Sequence, residues 1–176
     1  MISDLRAANA GIIGITVMYP EADRFGGDEV FTSWVKDNGI VLSQVPSSKG
    51  RSDIAPYIGT AVLGEGDPYN FAYRYNALVS NIPLLEDAAD GVGMVNAAIE
   101  VDNLVRRMPL ITQVNDQLYP SFPMELIRVL QNKPSYSMHV EETGIIDLMI
   151  PPYEPIKTDY TGSIWINFSN QFQSIE

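Results

Sequence analysis

The sequence predicts an α/β fold with an α+β tendency, a mixed β-sheet flanked by helices in a single domain covering residues 1–176. Three observations carry that prediction. Apolar runs of strand length alternate with amphipathic stretches from Ile2 to Val45, the opening pattern of an α/β unit. Strand-like segments cluster in the last third, so the sheet is expected to be mixed. The chain has 176 residues, 45% of them hydrophobic, which is the length of one ordinary domain with enough apolar material for a core.

The elements follow in order. Ile2 to Ala10 reads as a helix, with Ser3 as N-cap, Leu5 and Ala8 on one side, and Gly11 as the stop. Ile12 to Met18 is nearly continuous in apolar residues, which predicts a strand covered on both faces. Tyr19-Pro20-Glu21 and Gly26-Gly27 mark a loop. Asp28 to Asp37 sets Val30, Phe31, Trp34 and Val35 at helical spacing, and Asn38-Gly39 ends it. Ile40 to Val45 is a second apolar strand. Pro46 to Gly66 is rich in Ser, Gly and Pro and reads as loop, with a short strand at Gly59 to Leu63.

Tyr69, Phe71, Tyr73 and Tyr75 alternate with other residues, as in a strand with one aromatic face. Pro83 to Ala89 reads as a short helix with proline in its first turn. Val92 to Ala97 and Val105 to Val114 read as strands, and Asn115-Asp116 as a tight turn. Ser121 to Asn132 is a helix capped by Ser121, with Pro123 in its first turn and Phe122, Leu126, Val129 and Leu130 on a shared face. Strands at Ser137 to Glu142, Ile145 to Ile150 and Ser163 to Phe168 close the chain.

Composition removes several function classes. Acidic residues number 22 against 11 basic, a formal net charge of -11. Phosphate binding needs clustered Lys and Arg, so nucleic acid is not an expected partner. Docking on an anionic membrane through a basic patch is disfavoured for the same reason. With no cysteine, disulfides and thiolate metal sites are excluded. No apolar run reaches bilayer-spanning length, and MISDLRAANAG lacks the basic and apolar regions of a signal peptide. The chain thus reads as a soluble piece whose membrane context, if any, lies in sequence outside it.

The residues offer little to catalysis. His139 is the one histidine, set in a strand, where a structural or solvated role is the ordinary one. There is no Gly-x-Ser-x-Gly elbow and no lysine after a glycine-rich loop. One His without Cys cannot build a closed zinc site. Glu86-Asp87 and Glu141-Glu142 are adjacent carboxylates of the solvated-surface kind. Gly91-Val92-Gly93-Met94-Val95-Asn96 opens like a dinucleotide fingerprint, but a helix precedes it, a strand follows, and Asn96 stands where the third glycine belongs. No catalytic residue, metal ligand or cofactor is predicted. Arg106-Arg107 is more informative. Strand alternation sends the two side chains to opposite faces. One is expected inward, paired with Asp102 or another carboxylate, because an unpaired buried charge is costly. The other is expected to face solvent or a ligand.

Four motifs in order carry a family resemblance. Ala88-Ala89-Asp90 followed by Gly91-Val92-Gly93-Met94-Val95-Asn96 is similar to a small-residue run leading into Gly-φ-Gly-φ-φ-Asn, with φ apolar. Asp102-Asn103-Leu104-Val105-Arg106-Arg107-Met108-Pro109-Leu110 resembles Asp-x-Asp-Gly-x-x-Arg-Arg-x-Pro-Leu. Tyr119-Pro120-Ser121-Phe122 with Glu125 resembles Tyr-Pro-Ser-Leu before a helix. Asp159-Tyr160-Thr161-Gly162 into Ile164-Trp165-Ile166-Asn167-Phe168 resembles Asp-x-x-Gly-x-φ-x-Ile-Asn-Phe. Upstream, Leu5 to Pro20 and Asp23 match a helix, Gly, apolar strand and Pro-x-x-Asp loop. Together they resemble the CHASE2 sensor domains of bacterial membrane receptors, weakest between Pro46 and Ser80. Asn103 replaces the family's turn glycine and also tolerates positive φ. Thr16 replaces an acidic strand residue.

The resemblance implies a non-enzymatic, extracytoplasmic (periplasmic) sensory module. It implies a homodimeric parent receptor and a cytoplasmic output domain such as a nucleotide cyclase, histidine kinase, Ser/Thr kinase or diguanylate cyclase. It implies further that a membrane helix, a first strand and a Trp-Pro-Trp segment precede Met1 in the parent protein. Losing that strand would bare a sheet edge and favour self-association. The ligand is an unidentified small molecule, with Arg106, Arg107, Asp102 and Asn96 as candidate binding residues. Two other readings compete: a soluble α/β enzyme or subunit acting on a small molecule, and a ligand-free spacer that couples dimerisation to output.

Overall fold

The computed structural model describes residues 2–51 and 59–168. In chain order these form α1 (Ile2–Ala7), β1 (Ile13–Ile15), α2 (Asp28–Val35), β2 (Ile40–Ser47), β3 (Thr60–Leu63), a 3-10 turn at Pro68–Asn70, β4 (Tyr73–Tyr75) and β5 (Ala77–Val79). There follow α3 (Pro83–Ala88), β6 (Gly91–Met94), β7 (Ala98–Ile99), β8 (Val105–Pro109), β9 (Ile111–Val114), β10 (Gln117–Pro120), α4 (Phe122–Leu130), β11 (Tyr136–Glu141), β12 (Gly144–Met149), β13 (Ile156–Lys157) and β14 (Ser163–Trp165).

The architecture is α/β, as the alternation predicts, with parallel and antiparallel pairs mixed across four hydrogen-bonded sheets among the described residues. β1, β2 and β6 are parallel, and β5 runs antiparallel to the C-terminal half of β2. β4 is parallel to β9, which forms a hairpin with β10. β3 is parallel to β11 in a sheet completed by β12 and β13. β8 lies between β7 and β14, antiparallel to both.

α4 is the centre of the molecule. On one face of β2, Ile40 and Leu42 pack with Val35, Leu85, Ala89 and Val92 under α2 and α3. α4 covers the other face, crossing β6 and β2. It approaches so closely that a Cβ on Gly93 would sit 2.5 Å from the Phe122 Cα. Elsewhere on α4, Met124 and Ile127 enter a second core with Leu110, Ile111, Tyr136, Met138, Val140, Ile145 and Leu148. A helix packed between a sheet and a core has no dry stripe and wet stripe in the usual sense. This is why Glu125 and Arg128 are also buried, and why the apolar face expected from Phe122, Leu126, Val129 and Leu130 is only partly realised: Leu130 is 51% exposed. The two charges pair, Arg128 Nε donating to Glu125 Oε2, while Glu125 Oε1 is buried without a hydrogen-bond partner among the described residues. Arg128 also donates to the carbonyls of Asp90 at 2.8 Å and Lys133 at 2.9 Å. Burial pushes the Glu125 carboxyl above its ordinary range, against the pull of Arg128.

Several sequence expectations change. The run Ile12 to Met18 is strand only over Ile13–Ile15, and among the described residues it pairs with β2 alone. It is an edge strand, with Ile13 and Ile15 half-buried against the core under α2 and α3, and with Phe122 and Leu126 of α4 approaching Gly14. The first helix ends at Ala7 rather than Ala10. The strand read as Val92 to Ala97 is β6, displaced to Gly91–Met94. Val105 to Val114 is not one strand. Pro109 has no N–H for a ladder, and Leu110 leaves both sheets, its N–H donating to Gly162 O and its carbonyl accepting from Ser121 N, each at 2.9 Å. Tyr69 falls in the 3-10 turn, where Asp67 caps its N–H, so only Tyr73–Tyr75 is strand. Ser121 holds the N-cap position without a side-chain cap bond. β5, β7, β10 and β13 were not predicted; all are four residues or fewer.

Candidate functional site

The β7–β8 hairpin carries three of the four sequence candidates. Its turn is closed by Asn103, whose φ of 62° the asparagine side chain tolerates. Asn103 N donates to Glu100 O at 2.9 Å, and Glu100 N to Leu104 O at 3.0 Å. Arg106 holds the turn by a two-pronged pair with Asp102, Nη1 to Oδ1 at 3.0 Å and Nη2 to Oδ2 at 2.8 Å. This is the pairing that the residue types predict. Arg106 Nη1 also reaches Glu100 Oε2 at 2.9 Å.

Arg107 overturns the expectation of one paired and one free arginine. Its Nε donates to Glu100 Oε1 at 3.2 Å, and its Nη1 to Asp159 Oδ2 at 3.1 Å. The guanidinium lies over the Trp165 ring, 5.1 Å from its centroid. Neither side chain is buried; Arg106 is 38% and Arg107 28% exposed. Strict alternation fails at this end because the β7–β8 pairing shifts register between Ala98 and Ile99. Glu100 then sits between the two arginines and gives each one oxygen.

Asp102 and Asp159 are held ionised. Hydrogen bonding from Arg106, with help from the Leu104 N–H, lowers the Asp102 carboxyl below its ordinary range. Burial pushes Asp159 upward, but bonds from Thr161, the Ser163 N–H and Arg107 outweigh it and leave it lowered. Both guanidinium groups are raised, Arg106 by Asp102 foremost and Arg107 by Asp159 foremost.

Beside this network lies an open groove of about 510 Å³, lined by Tyr73, Ala98, Ile99, Glu100, Val101, Asp102 and Arg107. Asn96 is not part of its lining. Its Nδ2 donates to Thr112 Oγ1 at 2.9 Å, and its Oδ1 is buried without a hydrogen-bond partner among the described residues. Sequence reasoning missed Glu100, Asp159, Trp165 and Tyr73. Asp159 and Trp165 stood in the closing motif, but nothing local brings them to a hairpin 52 residues away.

The remaining sequence features resolve structurally. Gly91 and Gly93 admit α4, with Arg128 Nη2 and the Phe122 backbone occupying the space of their absent side chains. Glu86 is not merely solvated: it accepts from Ser80 Oγ and from Asn81 N. His139 Nε2 pairs with Glu141 Oε1 at 2.8 Å, at a second groove of about 390 Å³. Among the described residues, no group of three or more His, Cys, Asp or Glu is placed to hold a metal ion. No described helix is long and apolar enough to cross a membrane, which says nothing of β-barrels.

The family model of the CHASE2 domain matches residues 1–176, the whole chain. The chain belongs to the CHASE2 domain family. No match was found among curated proteins or among solved structures. CHASE2 is an extracytoplasmic sensor family. In this CHASE2 domain the Asp-Arg-Arg segment and the closing Asp-x-x-Gly segment form one ionic network through Arg107 and Asp159. The Tyr119-Pro120-Ser121 segment leads from β10 into α4, and the glycine-rich segment receives that helix.

Proposed function

We propose that this CHASE2 domain is the extracytoplasmic sensory module of a membrane-anchored bacterial receptor. It is not itself catalytic, works within a homodimeric receptor, and signals to an output domain such as a nucleotide cyclase, histidine kinase or diguanylate cyclase. One observation supports this above the rest. Two motifs far apart in sequence converge on an ionic network at a solvent-open groove, where Arg107 meets Asp159 across 52 residues. The test is topological. Alkaline phosphatase fused after Phe168 in the full parent protein is expected to be active in cells, and β-galactosidase fused at the same place inactive. The reverse pattern overturns the extracytoplasmic placement.

A further inference from the structure

We propose that the groove beside Arg107 binds a small zwitterion with an apolar side chain, an α-amino acid or a close chemical relative. This rests on the sensory reading above and names its ligand class. The argument begins with Arg107. Hydrogen bonds take its Nε and Nη1, whereas Nη2 makes none among the described residues. Trp165 covers the guanidinium and two carboxylates grip it, so the remaining Nη2 amino group is held in a fixed direction. A pre-oriented guanidinium amino group is a charge-assisted donor for a carboxylate oxygen.

A carboxylate alone is nevertheless a poor ligand here. Arg106 and Arg107 face three carboxylates, Glu100, Asp102 and Asp159, which leaves the network one negative charge in excess. The chain as a whole carries -11. A simple anion therefore approaches against the field. A simple cation meets two arginines. A ligand carrying both charges avoids both penalties, with its carboxylate on Arg107 and its ammonium on the remaining lone pairs of Glu100 and Asp102.

The walls supply the rest of the recognition. Ile99 is 70% exposed, and Val101 is exposed fully. Two branched apolar side chains are left in water beside the charges, with Ala98 and the Tyr73 side chain completing the lining. They offer apolar area to an aliphatic or aromatic side chain. The volume, about 510 Å³, falls in the ~300–1,000 Å³ range of small-molecule sites.

Isothermal titration calorimetry of the 176-residue chain tests the proposal. The probes are L-leucine, L-isoleucine and L-phenylalanine. Isoamylamine and isocaproate serve as controls, since each keeps the leucine side chain but only one of its charges. Saturable binding of one or more of the amino acids is expected, with the two controls weaker by about tenfold or more. Arg107→Met and Ile99→Asp are each expected to weaken the amino acid by about tenfold or more, with circular dichroism unchanged. Ile99 is an exposed position, so its variant stays informative should Arg107→Met misfold. No binding heat from any of the three amino acids, equal binding by isocaproate, or undiminished binding in Ile99→Asp overturns the proposal. The phosphatase fusion reads independently of all three outcomes, so loss of the ligand class leaves the sensory placement standing.

Discussion

The Glu125–Arg128 pair and the Arg106–Arg107 network use the same two functional groups at different depths. In α4 the carboxylate is wholly buried and the guanidinium is 8% exposed. On the β7–β8 hairpin the two guanidinium groups are 38% and 28% exposed, and three carboxylates serve them. The buried pair is shut away from water: Arg128 donates to Glu125 and to two backbone carbonyls, one of them just before β6. The hairpin network is open: Arg107 lines a groove together with the exposed Ile99 and Val101. In the interior, desolvation makes each partner dependent on the other. At the surface, water and salt substitute for a lost partner. The first arrangement builds a fixed scaffold and the second an exchangeable site.

The sharpest way to break this contrast is Arg128→Met. It strands Glu125 in an apolar setting and is expected to cost about 3–5 kcal/mol in urea unfolding. Adding Glu125→Leu should recover most of the loss, since removing both charges is far cheaper than removing one. Gly93→Ala comes next. Its new methyl would meet the Phe122 Cα at 2.5 Å and the Phe122 N at 2.9 Å, backbone atoms that cannot rotate away. The expected loss is about 1–3 kcal/mol.

The pH dependence distinguishes the two regions by sign. Glu125 is raised in the folded state, so the folded chain holds its proton more tightly than the unfolded chain. Its contribution is complete below the unfolded value of about 4.3 and declines as pH rises through the folded value. Asp159 is lowered. Its contribution is present above the unfolded value and lost as pH falls below about 4. Urea midpoints across pH should show Glu125→Gln flattening the higher limb and Asp159→Asn the lower one. The smallest effect is expected from Arg106→Met. It should shift the urea midpoint far less than Arg128→Met does, and the shift should fade in 1 M salt, where screening acts within about 3 Å. A shift that survives high salt would place the hairpin network with the scaffold.

Legibility in the sequence follows the same division. Long amphipathic or apolar segments declared themselves: α2, β2, α4, β11 and β12 all lie where periodicity sets them. The Arg106–Asp102 pair was legible too, because both partners sit on one short hairpin. What stayed hidden depends on long-range geometry. The break at Leu110 comes from backbone bonds to Gly162 and Ser121, and no local pattern announces them. The second partner of Arg107 lies on the far side of α4 in sequence. The apolar face of α4 differs from the expected one because amphipathic reasoning assumes one wet side, whereas this helix has the β6–β2 sheet on one side and a core on the other. The 3-10 turn at Pro68–Asn70 defeated an aromatic alternation that looked like a strand, since Asp67 capping and Pro68 favour a turn there.

The parallel pairing of β3 with β11 governs how quickly this fold can assemble. Thr60 and Tyr136 meet in register, their hydroxyls 2.8 Å apart, although 76 residues separate them. Closing a loop of that length costs about 4 kcal/mol of chain entropy before the contact returns anything. The β9–β10 and β11–β12 hairpins have no such delay and can form within about 1–10 μs. β3 must therefore add late, to a β11–β12 template already made. Refolding is expected in the millisecond-to-second range of non-local β topologies, not the microsecond range of helical bundles.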